Sequence, residues 1–452
     1  MENVKYKEQE EEKINAEKAV WGSRGRRYGI YLFAVALAGW ALASYNYNLL
    51  TLAYPNVASA LHLTSVQVGE TGTIISLVSI FVPILLGYWM DTRGRKVMWM
   101  LALGMSAVFT GLTALVTNFA ELVIFRAIAS SFGLSELGIS ITIVNESLGP
   151  KQRGWLYSWV QAGWPLGVFI ASGMYLAFIG FGWKVVFAVG AIPLIVVMIG
   201  RYWIKDPERY LNLKKIKDML KSGKRKEEIA GIEEYAADLE AAQHLTYRQI
   251  FGTKGYVRNQ LIKIMVTWFF YASSWVLTNV FIVYFVVDYY GWSITYAATL
   301  LLISSGVGFF FYPLGGFLGE RLGRKNVLVY TAIATPILAV LFIIAVHFIL
   351  VASIIYFFIY QVTNGTWSGA GYAYWGESFP TRVRGTVVGF LAGWFNVSTF
   401  VGSLIYTVLI VIFIKTPMLV WLIMAVGLAV GELFSLTLKK IEPGTVLEDI
   451  SV

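Results

Sequence analysis

Two ionisable side chains stand deep inside apolar stretches of this chain, Arg126 and Glu136, ten residues apart, and Glu146 follows after ten more. A carboxyl in a low-dielectric pocket holds its proton more tightly and can carry one at working pH. A guanidinium can grip a carboxylate through two parallel hydrogen bonds. Arg126 and Glu136 lie about 15 Å apart along a helix and cannot pair directly. Asn46, preceded by Tyr45, falls at a depth close to that of Arg126, as does Glu70, a candidate counter-ion. An amide does not titrate, so Asn46 cannot carry a proton. Asn279, Gln361, Asn364, Trp367 and Asn396 place further polar groups inside apolar runs, where they could bond a hydroxylated solute or one another. Asp288 and Glu432 read as boundary residues, which concentrates proton and anion recognition in the N-terminal half. The alternative for Glu136 is a satisfied carboxyl that holds its helix against a neighbour.

The elements that must position these groups follow from composition. The chain has 452 residues, 57% hydrophobic and 14% charged, against roughly 25% charged in soluble proteins. A membrane core needs roughly 20 apolar residues per helical crossing. Such runs are expected at Ile30 to Ala53, Val66 to Met90, Val97 to Val116, Leu122 to Val144, Leu156 to Ile179 and Val185 to Ile204. Six more are expected at Leu261 to Val287, Ile294 to Leu318, Val327 to Val346, Ile349 to Trp375, Val387 to Ile414 and Met418 to Leu438. Arg and Lys crowd alternate connections, while the opposite connections hold only Lys184 and Lys415. That asymmetry predicts cytoplasmic termini.

The expected units are an N-terminal tail over 1–28, a six-helix bundle over 29–204, a charged loop over 205–258, a second bundle over 259–438 and a tail over 439–452. Ile229, Ile232, Ala236 and Leu239 recur at helical spacing in the loop, which predicts short amphipathic helices there. The N-terminus opens acidic and lacks the pattern of a cleaved leader. With no cysteine and only His62, His244 and His347, the chain has no thiolate chemistry and no histidine metal cluster. The net charge of +9 sits in topology-determining loops, which argues against a nucleic-acid partner.

Two motifs occur twice. Gly87, Asp91, Gly94 and Arg95 match Gly316, Glu320, Gly323 and Arg324 as GxxxD/ExxGRK, with the acids 229 residues apart. Glu146 and Arg153 match Glu377 and Arg384 at a spacing of 231. Two patterns at one spacing predict parallel copies of a six-helix unit. Glycines there would let helices approach closely, and acid–arginine pairs could be made in one conformation and broken in another.

On these motifs the chain, from Arg26 to Lys440, resembles the major facilitator superfamily, whose loops between helices 2 and 3 and between helices 8 and 9 carry this pattern. The resemblance implies an all-α integral membrane fold of twelve transmembrane helices in two parallel six-helix bundles, rocking about a site near the midplane. It also implies that the loop acid braces the opposite half when the carrier opens outward. Asp91, Arg95, Glu320 and Arg324, with Glu146, Arg153, Glu377 and Arg384, would then form a cytoplasmic gate, the alternative being topology residues without a latch role. Arg126 and the stretch Leu134-Ser135-Glu136-Leu137-Gly138 resemble helix 4 of the sialate, monocarboxylate and wider metabolite:proton symporters, without that pattern's Trp. Asp206-Pro207-Glu208-Arg209-Tyr210-Leu211 also resembles sugar porters. In those, an Asp preceded by Tyr faces the helix 4 Arg where this chain has Asn46.

These readings lead to an expected secondary transporter, not an enzyme, without cofactor or metal. It would sit in the plasma membrane as a monomer and move a monocarboxylate, sugar acid or related small organic solute, with proton symport through Glu136. Arg126 without a helix 1 carboxylate would face the cavity and favour an anion. The alternatives are a sugar or organic-solute uniporter, for which Asn46 speaks, a drug exporter, and a transceptor that binds without transporting.

Overall fold

The computed structural model describes residues 21–441 apart from 22, 64, 149–152, 225–227, 229–254, 281, 380 and 414. The amphipathic helices expected around Ile229, Ile232, Ala236 and Leu239 lie outside the described residues. Among the described residues every regular element is helical. Long apolar runs leave the backbone no partner in a bilayer except itself, which only a helix or a closed barrel supplies.

The helices are α1 (Gly25–Ala60), α2 (Ser65–Arg93), α3 (Arg95–Thr113), α4 (Phe119–Leu134), α5 (Glu136–Ser147), α6 (Arg153–Gln161), α7 (Gly163–Phe178), α8 (Trp183–Gly200) and α9 (Glu208–Lys221). After the charged interval come α10 (Tyr256–Trp275), α11 (Ile282–Tyr290), α12 (Ile294–Leu322), α13 (Arg324–Ala345), α14 (Ile349–Tyr360), α15 (Trp367–Glu377), α16 (Thr381–Ile412), α17 (Pro417–Trp421) and α18 (Ala429–Gly431). Short π-helical stretches, Val276–Val280, Gln361–Thr366 and Leu422–Leu428, join α10 to α11, α14 to α15 and α17 to α18, and a final 3-10 turn covers Glu432–Thr437.

Eleven of the described helical stretches are long and apolar enough to cross a membrane. They fall on eleven of the twelve expected runs. The remaining run, Leu156 to Ile179, forms α6 and α7, separated at Ala162. Pro165 accounts for the break: it lacks an N–H, and its ring crowds the carbonyl four residues back, at Gln161.

The motif glycines have two distinct roles. Gly94 and Gly323 adopt φ of 116° and 85°, a region costly for any side chain, and so turn α2 into α3 and α12 into α13 within one residue. Gly87 permits contact: a Cβ there would meet the Gly385 carbonyl oxygen and Gly389 Cα at 2.8 Å. Its repeat partner Gly316 lies against Ser158 and Trp155 in the same way. The long α2 therefore packs on α16, and α12 on α6, as two copies of one contact.

Three hydrophobic clusters hold the bundle. One draws on residues between Leu42 and Leu194 and another on residues between Leu277 and Ala425. The largest includes Trp99, Leu137 and Tyr157 together with Trp268, Trp375 and Val388, so it bridges the two halves of the chain.

Candidate functional site

Between the halves lies a cavity of about 130 Å³, near the size of an engineered cavity of about 150 Å³ that holds benzene. From the first half it is lined by Trp40, Tyr47, Ser79, Gln161 and Trp164, and from the second by Tyr271, Trp275, Tyr312, Ser368, Phe395 and Asn396. Aromatic rings form much of its wall: Trp164 stands 5.1 Å from Trp40 and 6.0 Å from Tyr47, centroid to centroid. Neutral groups supply its polarity. Asn396 donates to the Ser79 carbonyl across the halves at 3.0 Å, Tyr271 and Ser368 share a hydrogen bond of 2.8 Å, and the Trp40 indole N–H has no partner among the described residues. No Asp, Glu, Lys or Arg is among the described lining residues.

Of the residues expected on the solute path, Asn396 lines this cavity. The structure brings Arg126 and Asn46 together, but in a sealed inter-helix contact. Arg126 Nη1 donates to Asn46 Oδ1 at 2.9 Å and Nη2 to the Asn46 carbonyl at 2.7 Å. Asn46 also accepts from Thr110 at 2.6 Å and donates to Ser106 and to the Ala129 carbonyl, and both Asn46 and Arg126 are fully buried. The expectation that Arg126 faces the cavity is therefore corrected: its guanidinium is spent tying α4 to α1. No described carboxylate lies in salt-bridge range of it. Tyr45 is buried too, its hydroxyl without a hydrogen-bond partner among the described residues. The Glu70 side chain lies outside the described residues.

Glu136, the expected proton carrier, is clamped. Arg201 donates to both of its oxygens at 2.6 Å, and Trp99 Nε1 donates to Oε2 at 2.9 Å. All three residues are fully buried, and Arg201 lies 4.3 Å over the Trp99 ring. This arrangement is the satisfied carboxyl of the alternative reading, which pins the α4–α5 bend to the end of α8. Arg201 went unrecognised because an Arg closing an apolar run looks like an orientation signal.

Among the second-half amides, Asn364 bonds Asn279, and Gln361 donates to the Ser304 carbonyl at 2.9 Å. Trp367 stacks on Tyr271 at 5.0 Å from behind the cavity wall. Glu432 corrects the boundary reading: it is 1% exposed, with Oε1 2.9 Å from Ser274 Oγ.

The duplicated loops meet on one face. Arg95 pairs with Asp91 at 2.8 Å and with Glu146 at 3.1 Å, and Arg384 reaches Glu146 from the other half at 3.3 Å. Asp91 Oδ2 accepts from the Thr386 backbone N–H at 2.6 Å and from its hydroxyl. The second copy repeats the plan: Arg324 pairs with Glu320 at 2.8 Å and with Glu377 at 2.6 Å, while Glu320 accepts from the Trp155 backbone N–H at 3.2 Å. Thus each loop acid reaches the opposite half. The Arg153 side chain lies outside the described residues. Helix α9 supports the first copy, with Arg95 lying 4.3 Å over the Tyr210 ring.

Residues 35–403 and 264–447 match the sequence profile of the Major Facilitator Superfamily. A cis,cis-muconate transport protein of Acinetobacter baylyi is 25% identical over 360 residues, 75% of this chain and 78% of that one. The niacin transporter NiaP of the same organism is 25% identical over 381 residues, 82% and 83% of the two chains. The proton:xylose symporter XylE bound to 6-bromo-6-deoxy-D-glucose superposes with a TM-score of 0.77 over 93% of this chain and 98% of that one, at 17% identity, a likeness of fold. The chain belongs to the Major Facilitator Superfamily: it is a multi-pass membrane transporter of small solutes, not an enzyme.

Proposed function

We propose that this carrier moves a ring-sized carboxylate together with a proton across the plasma membrane by alternating access. Twelve crossings with cytoplasmic ends would form two parallel six-helix bundles, 29–204 and 259–438, rocking as a monomer about the central cavity. The observation that carries the reading is the cavity lining, aromatic, hydrogen-bonding and without a described charge. Such a wall can pack against an unsaturated solute and hydrogen-bond its carboxylate. A proton taken up by the carrier along with it leaves the net charge of the loaded carrier unchanged, which matters because an uncompensated buried charge is costly. The solutes that name the two relatives both carry carboxyl groups, one in niacin and two in cis,cis-muconate, so one proton balances the charge of the first and half that of the second. The paired loops act as the cytoplasmic gate, closed in this conformation. Glu136, committed to Arg201, serves as a strut in this scheme and the proton binds elsewhere.

The test is flux into proteoliposomes for nicotinate, cis,cis-muconate, D-glucuronate and D-xylose, with and without an imposed pH gradient. Gradient-driven accumulation of a carboxylate is expected. Uptake restricted to D-xylose and indifferent to pH would replace this reading with sugar uniport, which the Asn46 contact to Arg126 favours. A binding-only transceptor would show no flux with any of the four.

A further inference from the structure

Five carboxyls and five guanidiniums are buried among the described residues: Asp91, Glu136, Glu146, Glu377 and Glu432, and Arg95, Arg126, Arg201, Arg324 and Arg384. Four of the acids have an arginine partner within 3.3 Å. Glu432 has none.

An isolated buried carboxylate is so costly that the group neutralises instead. The hydrogen bonding at Glu432 fits that outcome. Ser274 Oγ lies 2.9 Å from the Phe270 carbonyl, 3.1 Å from the Tyr271 carbonyl and 2.9 Å from Glu432 Oε1. A hydroxyl has one hydrogen, and in a helix it commonly goes to the carbonyl four residues back. With that hydrogen on the Phe270 carbonyl, the Ser274 oxygen is left as an acceptor that a protonated Glu432 would fill by donating.

Among the described residues the elements packed against it offer no compensating cation. The turn bearing Glu432 packs against α10, α13 and α18. Of the ionisable groups on α10, Arg258 and Lys263 stand 16 and 11 residues before Ser274, Tyr256 opens the helix, and Tyr271 is a phenol that shares a hydrogen bond with Ser368. Those of α13 are Arg324, held by Glu320 and Glu377, and Lys325 and Tyr330 in its first two turns. Helix α18 has none.

We propose that Glu432 is the proton-binding site of the carrier, reached from the solute cavity through α10, whose Tyr271 and Trp275 line the cavity on either side of Ser274. The carboxyl binds one proton from water on one face of the membrane and releases it to water on the other, after rocking changes what surrounds α10. The inference deepens the symport reading above and rests on it.

Two measurements test it, with the solute that exchanges fastest among the four above. An imposed gradient of about one pH unit sustains about tenfold accumulation at one proton per solute. Glu432→Gln should keep solute exchange and lose that accumulation. Wild-type accumulation by Glu432→Gln overturns the proposal, as does wild-type exchange that ignores the gradient, which leaves the transporter reading standing. Infrared spectroscopy of the purified protein needs no solute: a protonated-carboxyl C=O band is expected in wild type and absent from Glu432→Gln. An unchanged spectrum overturns the assignment even where no flux is seen, a result that would sink the transport reading separately. Should Glu432→Gln fail to fold, Glu432→Asp replaces it; the band should move, and an unmoved band is the contrary result.

Discussion

Replacing Arg201 with alanine would strip a fully buried carboxylate of both its charge-assisted bonds, leaving the Trp99 indole as the remaining donor to Glu136. Breaking one side of a buried pair typically costs about 3 to 5 kcal/mol, whereas removing both charges together is far milder. Arg201→Ala is therefore expected to lower the melting temperature in detergent sharply, and the Glu136→Gln/Arg201→Gln double variant to recover much of the loss. A double variant as unstable as Arg201→Ala would mean that the fold depends on the charges themselves. Glu136 was conspicuous in the sequence because an acid within an apolar run stands out. Arg201 was not, because a cation at the end of such a run also serves topology. Their pairing joins positions 65 residues apart, and no local pattern encodes it.

At the scale of elements, helices of the two halves approach each other to backbone contact. Gly389 on α16 faces the α2 backbone: a Cβ there would crowd Gly87 Cα, the Pro83 carbonyl and Gly87 N. The opposing atoms are backbone and cannot turn aside as a side chain would. Gly389→Leu should therefore hold α2 and α16 apart and cut solute exchange by about tenfold or more, while the protein still elutes as a single species. Normal exchange by Gly389→Leu would show that this contact is not needed for turnover. The motif exposed Gly87 and Gly94, whose spacing repeats at Gly316 and Gly323. Gly389 carries no such mark, because its importance comes from the residue opposite. The divided α6–α7 crossing had a visible cause in Pro165, yet its apolar run read as continuous, since hydropathy counts side chains and not backbone hydrogens.

For the whole molecule, the loop contacts that join the halves can be weakened without touching the cavity. Asp91→Asn and Glu320→Gln each remove a charge from a bond to the opposite half, at Thr386 and Trp155 respectively. The double variant should populate the conformation in which this face is open. The chain has no native cysteine, so spin labels at positions 93 and 321, both exposed near the ends of α2 and α12, report the gate cleanly. A longer label-to-label distance in the double variant is expected; an unchanged distribution would show that the loop acids do not latch the halves.

Composition alone was enough to require a polytopic helical membrane protein, because a bilayer accepts a backbone only when it bonds to itself. Two motifs repeated at spacings of 229 and 231 were enough to require a duplicated set of loop contacts, since both copies meet the same geometric demand. Partnership and exposure were decided by the folded chain. Helix rotation turned Arg126 onto Asn46 and Glu136 onto Arg201, left Glu432 without a cation among the described residues, and gave the cavity to tyrosines, tryptophans and neutral hydrogen-bonding groups. Each of those outcomes depends on which side of a helix meets which neighbour, a relation between distant parts of the chain that residue type and spacing do not contain.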